Sequence, residues 1–258
     1  MMQGHATNLP AHPDGLLVEK QDDVTTLTLD RPERGNALSA SLVTALAEAV
    51  QACHDDGTRL LVLAGNGPNF CTGFDLGNLD SESDDSLLAR FIRVELLLQA
   101  VHAAPFSTVA LVRGRAMGAG ADLVAACGQR WLEPGSNIAF PGAAFGLVLG
   151  SARLAALTGA ARAREWIAGG AVVGAEAAAV AGFAALVAPE DRPAALAALA
   201  ASARRLDCPT HAAIQTATLG GHGALALAQA SQLADLARSA ARPGLKARIA
   251  AYRASMKR

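Results

Sequence analysis

Two short apolar runs, each leading straight into a glycine-rich loop, constrain this chain more than any other feature. Arg59–Ala64 and Thr108–Val112 are continuous and apolar without polar alternation, as expected of strands buried on both faces. A sheet covered on both sides needs helices as its covers, so the pattern predicts an α/β fold. The flanking sequence agrees. Leu16–Lys20 and Val24–Asp30 read as two strands joined by the polar turn Gln21-Asp22-Asp23. Ser39 or Ser41 can cap a helix whose Leu42, Leu46, Val50 and Cys53 share one face. A long helix is predicted over Leu87–His102 and another from about Gly118 towards Cys127, with short strands at Gln129–Glu133 and Ile138–Phe140.

Helices then dominate. Ala194–Arg205, Ala224–Ala240 and Leu245–Ser255 are separated by the breakers CPTH, LGGHG and ARPG. The expected organisation is a loose arm over 1–13, a core of repeated strand–strand–helix units over 14–192, and a helical segment over 193–258. The acidic serine stretch Asp80–Asp85 reads as mobile.

Composition removes several classes of function. Of 258 residues, 52% are hydrophobic and 17% charged, too apolar for a disordered chain. A net charge of −1 gives no field for nucleic acid, so an anionic ligand must be met by local Arg and Lys. The longest nearly uncharged stretch, around Ala177–Ala188, is too short to span a membrane, and the start has neither a basic nor an apolar signal-peptide region. Cys53, Cys71, Cys127 and Cys208 form no CxxC pair and read as reduced thiols of a cytoplasmic protein. The six His residues lack ligand spacing, so no metal is expected.

The loops themselves are Gly65-Asn66-Gly67-Pro68-Asn69-Phe70-Cys71-Thr72-Gly73-Phe74-Asp75-Leu76 and Gly114-Arg115-Ala116-Met117-Gly118-Ala119-Gly120-Ala121-Asp122. Neither is a dinucleotide fingerprint, since Phe70 and Leu123 stand where the third glycine belongs. The Gly-Lys-Ser/Thr of a P-loop and the GxSxG of a hydrolase elbow are absent. Two readings fit what remains. The glycines make tight turns and nothing more, or they bring backbone amides from two loops to one oxyanion, the second loop doing so at a helix N-terminus.

The order of motifs adds to this. LDRPERGNALS, NFCTGFDL, VALVRGRAMGAGADLVAAC, IAFPGAAFGLVLG through LTGA, and VVGAEAAAVAGFAALV together resemble the crotonase (enoyl-CoA hydratase/isomerase) superfamily over nearly the whole chain. The resemblance implies a crotonase-like spiral of strand–strand–helix units with a C-terminal helical segment. It implies an enzyme of the hydratase, isomerase or lyase type whose substrate is a coenzyme A thioester, with no permanently bound cofactor. It makes the backbone N–H groups of Phe74 and Ala119 the oxyanion hole. Contacts to coenzyme A are implied for Arg34, Thr72, Asp75 and Leu76, with Lys257 of the basic C-terminus as a phosphate contact. Leu87, Phe91, Phe140 and Phe145 are the candidate acyl pocket. Relatives assemble as trimers or dimers of trimers, so a homotrimer or hexamer acting in acyl-CoA and fatty acid metabolism is implied.

The acids depart from that pattern. Hydratases of the family use two glutamates; the first falls on Asp122 and the second on Gly142, where no proton can be carried. Gly135–Arg153 holds no other Asp or Glu. Two-carboxylate hydration is therefore not supported, and an acyl-CoA binder without catalysis is the alternative. Glu95 is a candidate partner for Asp122. With Val94, Leu96, Leu97 and Leu98 around it, it is either partly buried and fit for acid–base work, or exposed and paired with Arg93.

Overall fold

A computed structural model describes residues 7–8 and 14–256. Its strands are β1 (Thr7–Asn8), β2 (Leu16–Gln21), β3 (Val24–Leu29), β4 (Leu60–Gly65), β5 (Ser107–Val112), β6 (Arg115–Met117), β7 (Gln129–Leu132), β8 (Asn137–Ala139), β9 (Val173–Gly174) and β10 (Ala185–Leu186). Its helices are α1 (Ala40–Ala52), α2 (Asp84–His102), α3 (Ala119–Ala126), α4 (Ser151–Thr158), α5 (Ala160–Ala168), α6 (Ala175–Val180), α7 (Arg192–Ala203), α8 (Cys208–Thr218), α9 (Gly221–Ala240) and α10 (Leu245–Ser255).

The main sheet runs β1-β2-β3-β4-β5-β7-β10. Its β1/β2 and β2/β3 pairs are antiparallel, and from β3 onward neighbours are parallel. Strand alternation divides the two apolar runs between two cores. Leu61, Leu63, Ala110 and Val112 face the large core under α1, α2 and α3. Leu60, Val62, Val109 and Leu111 face the other way, where Ala195, Leu196, Leu199 and Ala200 of α7 cover them. The fold is thus of the α/β class expected, a sheet covered by helices on both faces. A small second sheet, β6-β8-β9, stands apart and carries one wall of the cleft described below.

The segment from 193 onward does not stand as a separate unit. While α7 covers the sheet, α9 packs on α2, and α10 inserts Leu245 and Ile249 among Leu87, Phe91, Phe145 and Leu147. Three local expectations are corrected. The acidic stretch 80–85 is a cap: Ser83 and Ser86 form a reciprocal capping box on α2. Asp84 accepts the backbone N–H groups of Gly244, Leu245 and Lys246 at 2.7, 3.1 and 2.8 Å, docking the start of α10. CPTH opens α8 instead of breaking the chain, because Asp207 accepts from the Thr210 N–H at 2.7 Å and Pro209 sits in the first turn, where no N–H is missed. Arg115–Met117 is a strand, paired in parallel with Asn137–Ala139. Of the predicted arm, only Thr7 and Asn8 fall among the described residues, and they pair with Lys20 and Glu19.

No helix among the described residues is long and apolar enough to cross a membrane. Cys53, Cys71 and Cys127 are buried and Cys208 is exposed. Burial pushes the Cys71 and Cys127 thiols up to about 12 and raises that of Cys53. A thiol reagent at pH 8 should label one cysteine quickly, Cys208, and the other three only after denaturation; a second fast thiol would contradict this packing.

Candidate active site

The site is built where the two glycine loops are stitched together. Asn36 ties down the first: its side-chain amide donates to the carbonyls of Asn66 and Asn69, both at 2.8 Å, and its oxygen accepts from the Arg31 N–H. The two loops then run side by side. The Cys71 N–H donates to the Arg115 carbonyl at 3.1 Å and the Met117 N–H to the Cys71 carbonyl at 2.9 Å. Glycine is required where they touch. A Cβ on Gly73, at φ +98°, would lie 2.6 Å from the Met117 carbonyl oxygen, and one on Gly120 would lie 2.5 Å from that of Cys71.

This contact leaves two amides over. Ala119 is the first residue of α3, so its N–H has no helical acceptor. The Phe74 N–H follows Gly73, whose Cβ position is 3.6 Å from the Ala119 nitrogen. Among the described residues neither amide donates to a protein acceptor. The Phe74 ring, stacked on Phe91 with centroids 4.1 Å apart and covered by the Arg90 guanidinium, holds its backbone in place. Both residues line a cleft of about 1010 Å³.

Asp122 lies in the first turn of α3, three residues beyond Ala119, and also lines the cleft. It is 4% exposed, and its Oδ1 has no hydrogen-bond partner. Burial pushes its carboxyl up to about 8; Arg153 opposes this and Glu95 adds to it. Gly142, in the 3-10 turn Pro141–Phe145, lines the cleft opposite, and a Cβ there would meet only Leu147 at 3.8 Å. There is space for a side chain at that position. Asp122 is the one carboxylate among the described residues of the cleft lining.

Buried amides and a buried acid beside an apolar cleft suit acyl transfer chemistry in general, and the comparisons narrow the class. The profile of the enoyl-CoA hydratase/isomerase family matches residues 19–233. The chain belongs to that family. It is 41% identical to a Bordetella parapertussis protein assigned to enoyl-CoA hydratase/isomerase, with a TM-score of 0.88 over 92% of this chain and 98% of that one. A Thermobifida fusca protein of the enoyl-CoA hydratase group, solved in complex with acetoacetyl-CoA, is 29% identical with a TM-score of 0.72, over 87% and 93% of the two chains. A probable enoyl-CoA hydratase of Mycobacterium bovis is 36% identical over 154 residues, 58% of this chain and 61% of that protein. The chain thus matches less than two thirds of that curated relative's length.

The other residues expected to serve this hydratase/isomerase-family site are placed unevenly. Thr72 and Leu76 line the cleft, and the Leu76 carbonyl accepts from Arg253 at 3.1 Å. Arg34 flanks the first loop near Gly77 and Asp75 lies within that loop, and neither lines the cleft. Asp75 is engaged by Arg31 at 2.9 Å and by the Gly77 N–H at 2.8 Å. Its burial raises the carboxyl, but the Gly77 and Arg31 bonds outweigh that and hold it below the usual range. Lys257 lies outside the described residues. Phe91, Phe140 and Phe145 line the cleft, but Leu87 does not; it is wholly buried behind them, among residues that α10 covers.

Glu95 requires the largest correction. It is buried at 1% exposure, yet it does not line the cleft, and Arg93 is not its partner. Arg153 grips it through both terminal nitrogens, at 2.9 and 2.5 Å, and Gln99 donates to it at 2.8 Å. Both carboxylate oxygens are thus taken up by Arg153 and Gln99. It acts on the site through charge.

Sequence reasoning missed Arg115, Asn137, Tyr252 and Met256, all of which line the cleft. The alternation of Arg115 and Met117 about Ala116 was an available strand signal. For Tyr252 no local signal exists, since only the docking of α10 brings it there.

Proposed function

We propose that this protein is an acyl-CoA-processing enzyme that polarises a thioester carbonyl between the N–H groups of Phe74 and Ala119 and moves one proton, through Asp122, at the carbon next to that carbonyl. The observation that carries the reading is the convergence of two unpaired amides and one unpaired buried carboxyl on a single apolar cleft. Amides fixed before reaction stabilise a developing enolate without reorganising. A carboxyl with its affinity pushed up to about 8 is protonated at neutral pH and can hand that proton to an enolate carbon. Thr72, Leu76 and Arg34 support coenzyme A on the side of the first loop, as the family resemblance implies. Among the described residues of the lining no second acid is available to activate water, so cleavage of a carbon–carbon bond next to the carbonyl, which leaves an enolate for Asp122 to protonate, is favoured over hydration.

Gly142 favours one other reading, a binder of acyl-CoA that does no chemistry. A panel of 2-enoyl, 3-enoyl, 3-hydroxy, aromatic and malonyl-type CoA thioesters, followed for binding and products, separates the two. Turnover of any member supports the enzyme; tight binding without turnover supports the binder; no binding at all overturns the coenzyme A reading. If Asp122 works as an acid, kcat should hold at lower pH and fall as pH rises through about 8, because ionisation removes the proton to be delivered.

We also propose self-association. Helix α8 buries none of its residues, and Val172, Val180 and Leu227 are 66%, 89% and 73% exposed. Sedimentation at micromolar concentration should give a trimer or hexamer, and a monomer would overturn this.

A further inference from the structure

The small sheet gives the cleft a feature the proposed chemistry does not use. Along β6, Ala116 is fully buried and bridges to Cys71, so Arg115 and Met117 project to the opposite side, into the cleft. Their register partners on β8, Asn137 and Ala139, line it too. One face of the strand pair is therefore a wall that runs from Met117 and Ala139, beside the Ala119 amide, outward to Arg115 and Asn137.

Arg115 is prepared to receive something. Its Nε donates to the Asn69 side-chain oxygen at 3.1 Å, as does its backbone N–H at 3.3 Å. Among the described residues the two terminal nitrogens of the guanidinium have no protein acceptor and no carboxylate partner. Anchoring at Nε fixes the plane of the group and presents its end as a two-pronged donor. Asp122, the one carboxylate among the described residues of the lining, is neutral over most of the physiological range, so no carboxylate of the lining offsets the charge of Arg115, which is itself exposed. Ile167, Ala168, Gly169, Gly170 and Val172 supply apolar or small surface to the same cleft. A wholly apolar chain laid against a guanidinium would strip its water and return nothing.

We infer that Arg115, with Asn137 beside it, is an anion subsite that takes the terminal carboxylate of a short carboxyacyl-CoA, the thioester carbonyl of the same molecule lying at the Phe74 and Ala119 amides. The inference rests on the thioester reading above. One residue of strand, Ala116, separates Arg115 from Met117, so their backbones lie about 6.6 Å apart, the order of length of a linear diacid of about five or six carbons. An anion could also come from a coenzyme A phosphate. Arg34 and Arg253, which flank the first loop at Gly77 and Leu76, are better placed for that.

Calorimetry with glutaryl-CoA and adipyl-CoA against pentanoyl-CoA and hexanoyl-CoA, with free coenzyme A alongside, tests the assignment. The wild-type protein should bind a carboxyacyl thioester at least about tenfold more tightly than its neutral counterpart of equal length. In Arg115→Met that preference should fall to about one, and Arg115→Lys, which keeps the charge without the fork, should retain part of it. No preference in the wild type, or one that survives in Arg115→Met, overturns the subsite. Equal weakening of free coenzyme A in Arg115→Met also overturns it, assigning the anion to a phosphate. If no thioester binds, the thioester reading itself fails and takes the subsite with it, an outcome distinct from equal binding of both series.

Discussion

Replacing Asp122 by Asn should lower kcat by about 10²–10⁴-fold while leaving thioester affinity nearly unchanged. Asn has the shape of the protonated acid, fills the same buried position three residues beyond Ala119, and keeps the Phe74 and Ala119 amides available to the carbonyl. It cannot give up a proton. Binding energy from the amides and the apolar cleft should therefore survive, and only the step that moves hydrogen should be lost. Equal kcat in the variant and the parent would remove Asp122 from the chemistry. Stability should move too, and the sign follows from linkage. A buried acid whose folded affinity is pushed up to about 8 binds its proton more tightly folded than unfolded. Between its ordinary range and that value the folded state holds more protons, so stability falls as pH rises across the interval. The denaturant midpoint of the parent should drop relative to that of Asp122→Asn between pH 5 and pH 8, and parallel profiles would contradict the burial argument.

The second large effect is expected at the pair beneath the site. Glu95 and Arg153 are 1% and 3% exposed. Gln99 and Gln232 add hydrogen bonds to them, and the Arg153 Nε has no partner among the described residues. The cluster joins α2, α4 and α9, since Gln99 also donates to the Gln229 carbonyl at 2.9 Å. Arg153→Met should cost about 3–5 kcal/mol in denaturant unfolding, because it leaves Glu95 charged, buried and without its partner. Glu95→Leu combined with Arg153→Met should cost much less than the sum of the two, since the desolvation of both ions disappears together. Additive losses would show that the pair is not coupled. The variant Glu95→Gln reports on the site: with that negative charge gone, Arg153 acts on Asp122 alone, and the fall of activity with pH should begin at lower pH.

The fold was largely legible because its signals are local. Arg59–Ala64 and Thr108–Val112 carry only apolar interiors, and such strands must be covered twice; the structure splits their alternate residues between two cores. The family resemblance, carried over position by position, pointed to Phe74, Ala119 and Asp122, which the structure gathers on one cleft. Reading failed where a partner far along the chain decides. Glu95 looked like a face residue with Arg93 as neighbour, yet its partner is Arg153, 58 residues away. Leu87 read as pocket lining, yet Leu245 and Ile249 of α10 bury it in a core cluster beside the cleft. The acidic stretch 80–85 looked mobile because the amides that Asp84 accepts from, at residues 244–246, lie at the other end of the chain.

By itself, then, the sequence determined the α/β class, the two glycine loops, the carboxylate at 122 and the glycine at 142. These follow from backbone sterics and from which side chains exist, and both are properties of single residues and short spacings. Only the tertiary structure decided which charges are neutralised, which apolar side chains face the cleft, and that Arg115 lines it with no carboxylate partner among the described residues. Those are questions of desolvation and of distance between remote segments. A linear spacing carries no information on either until the chain has folded.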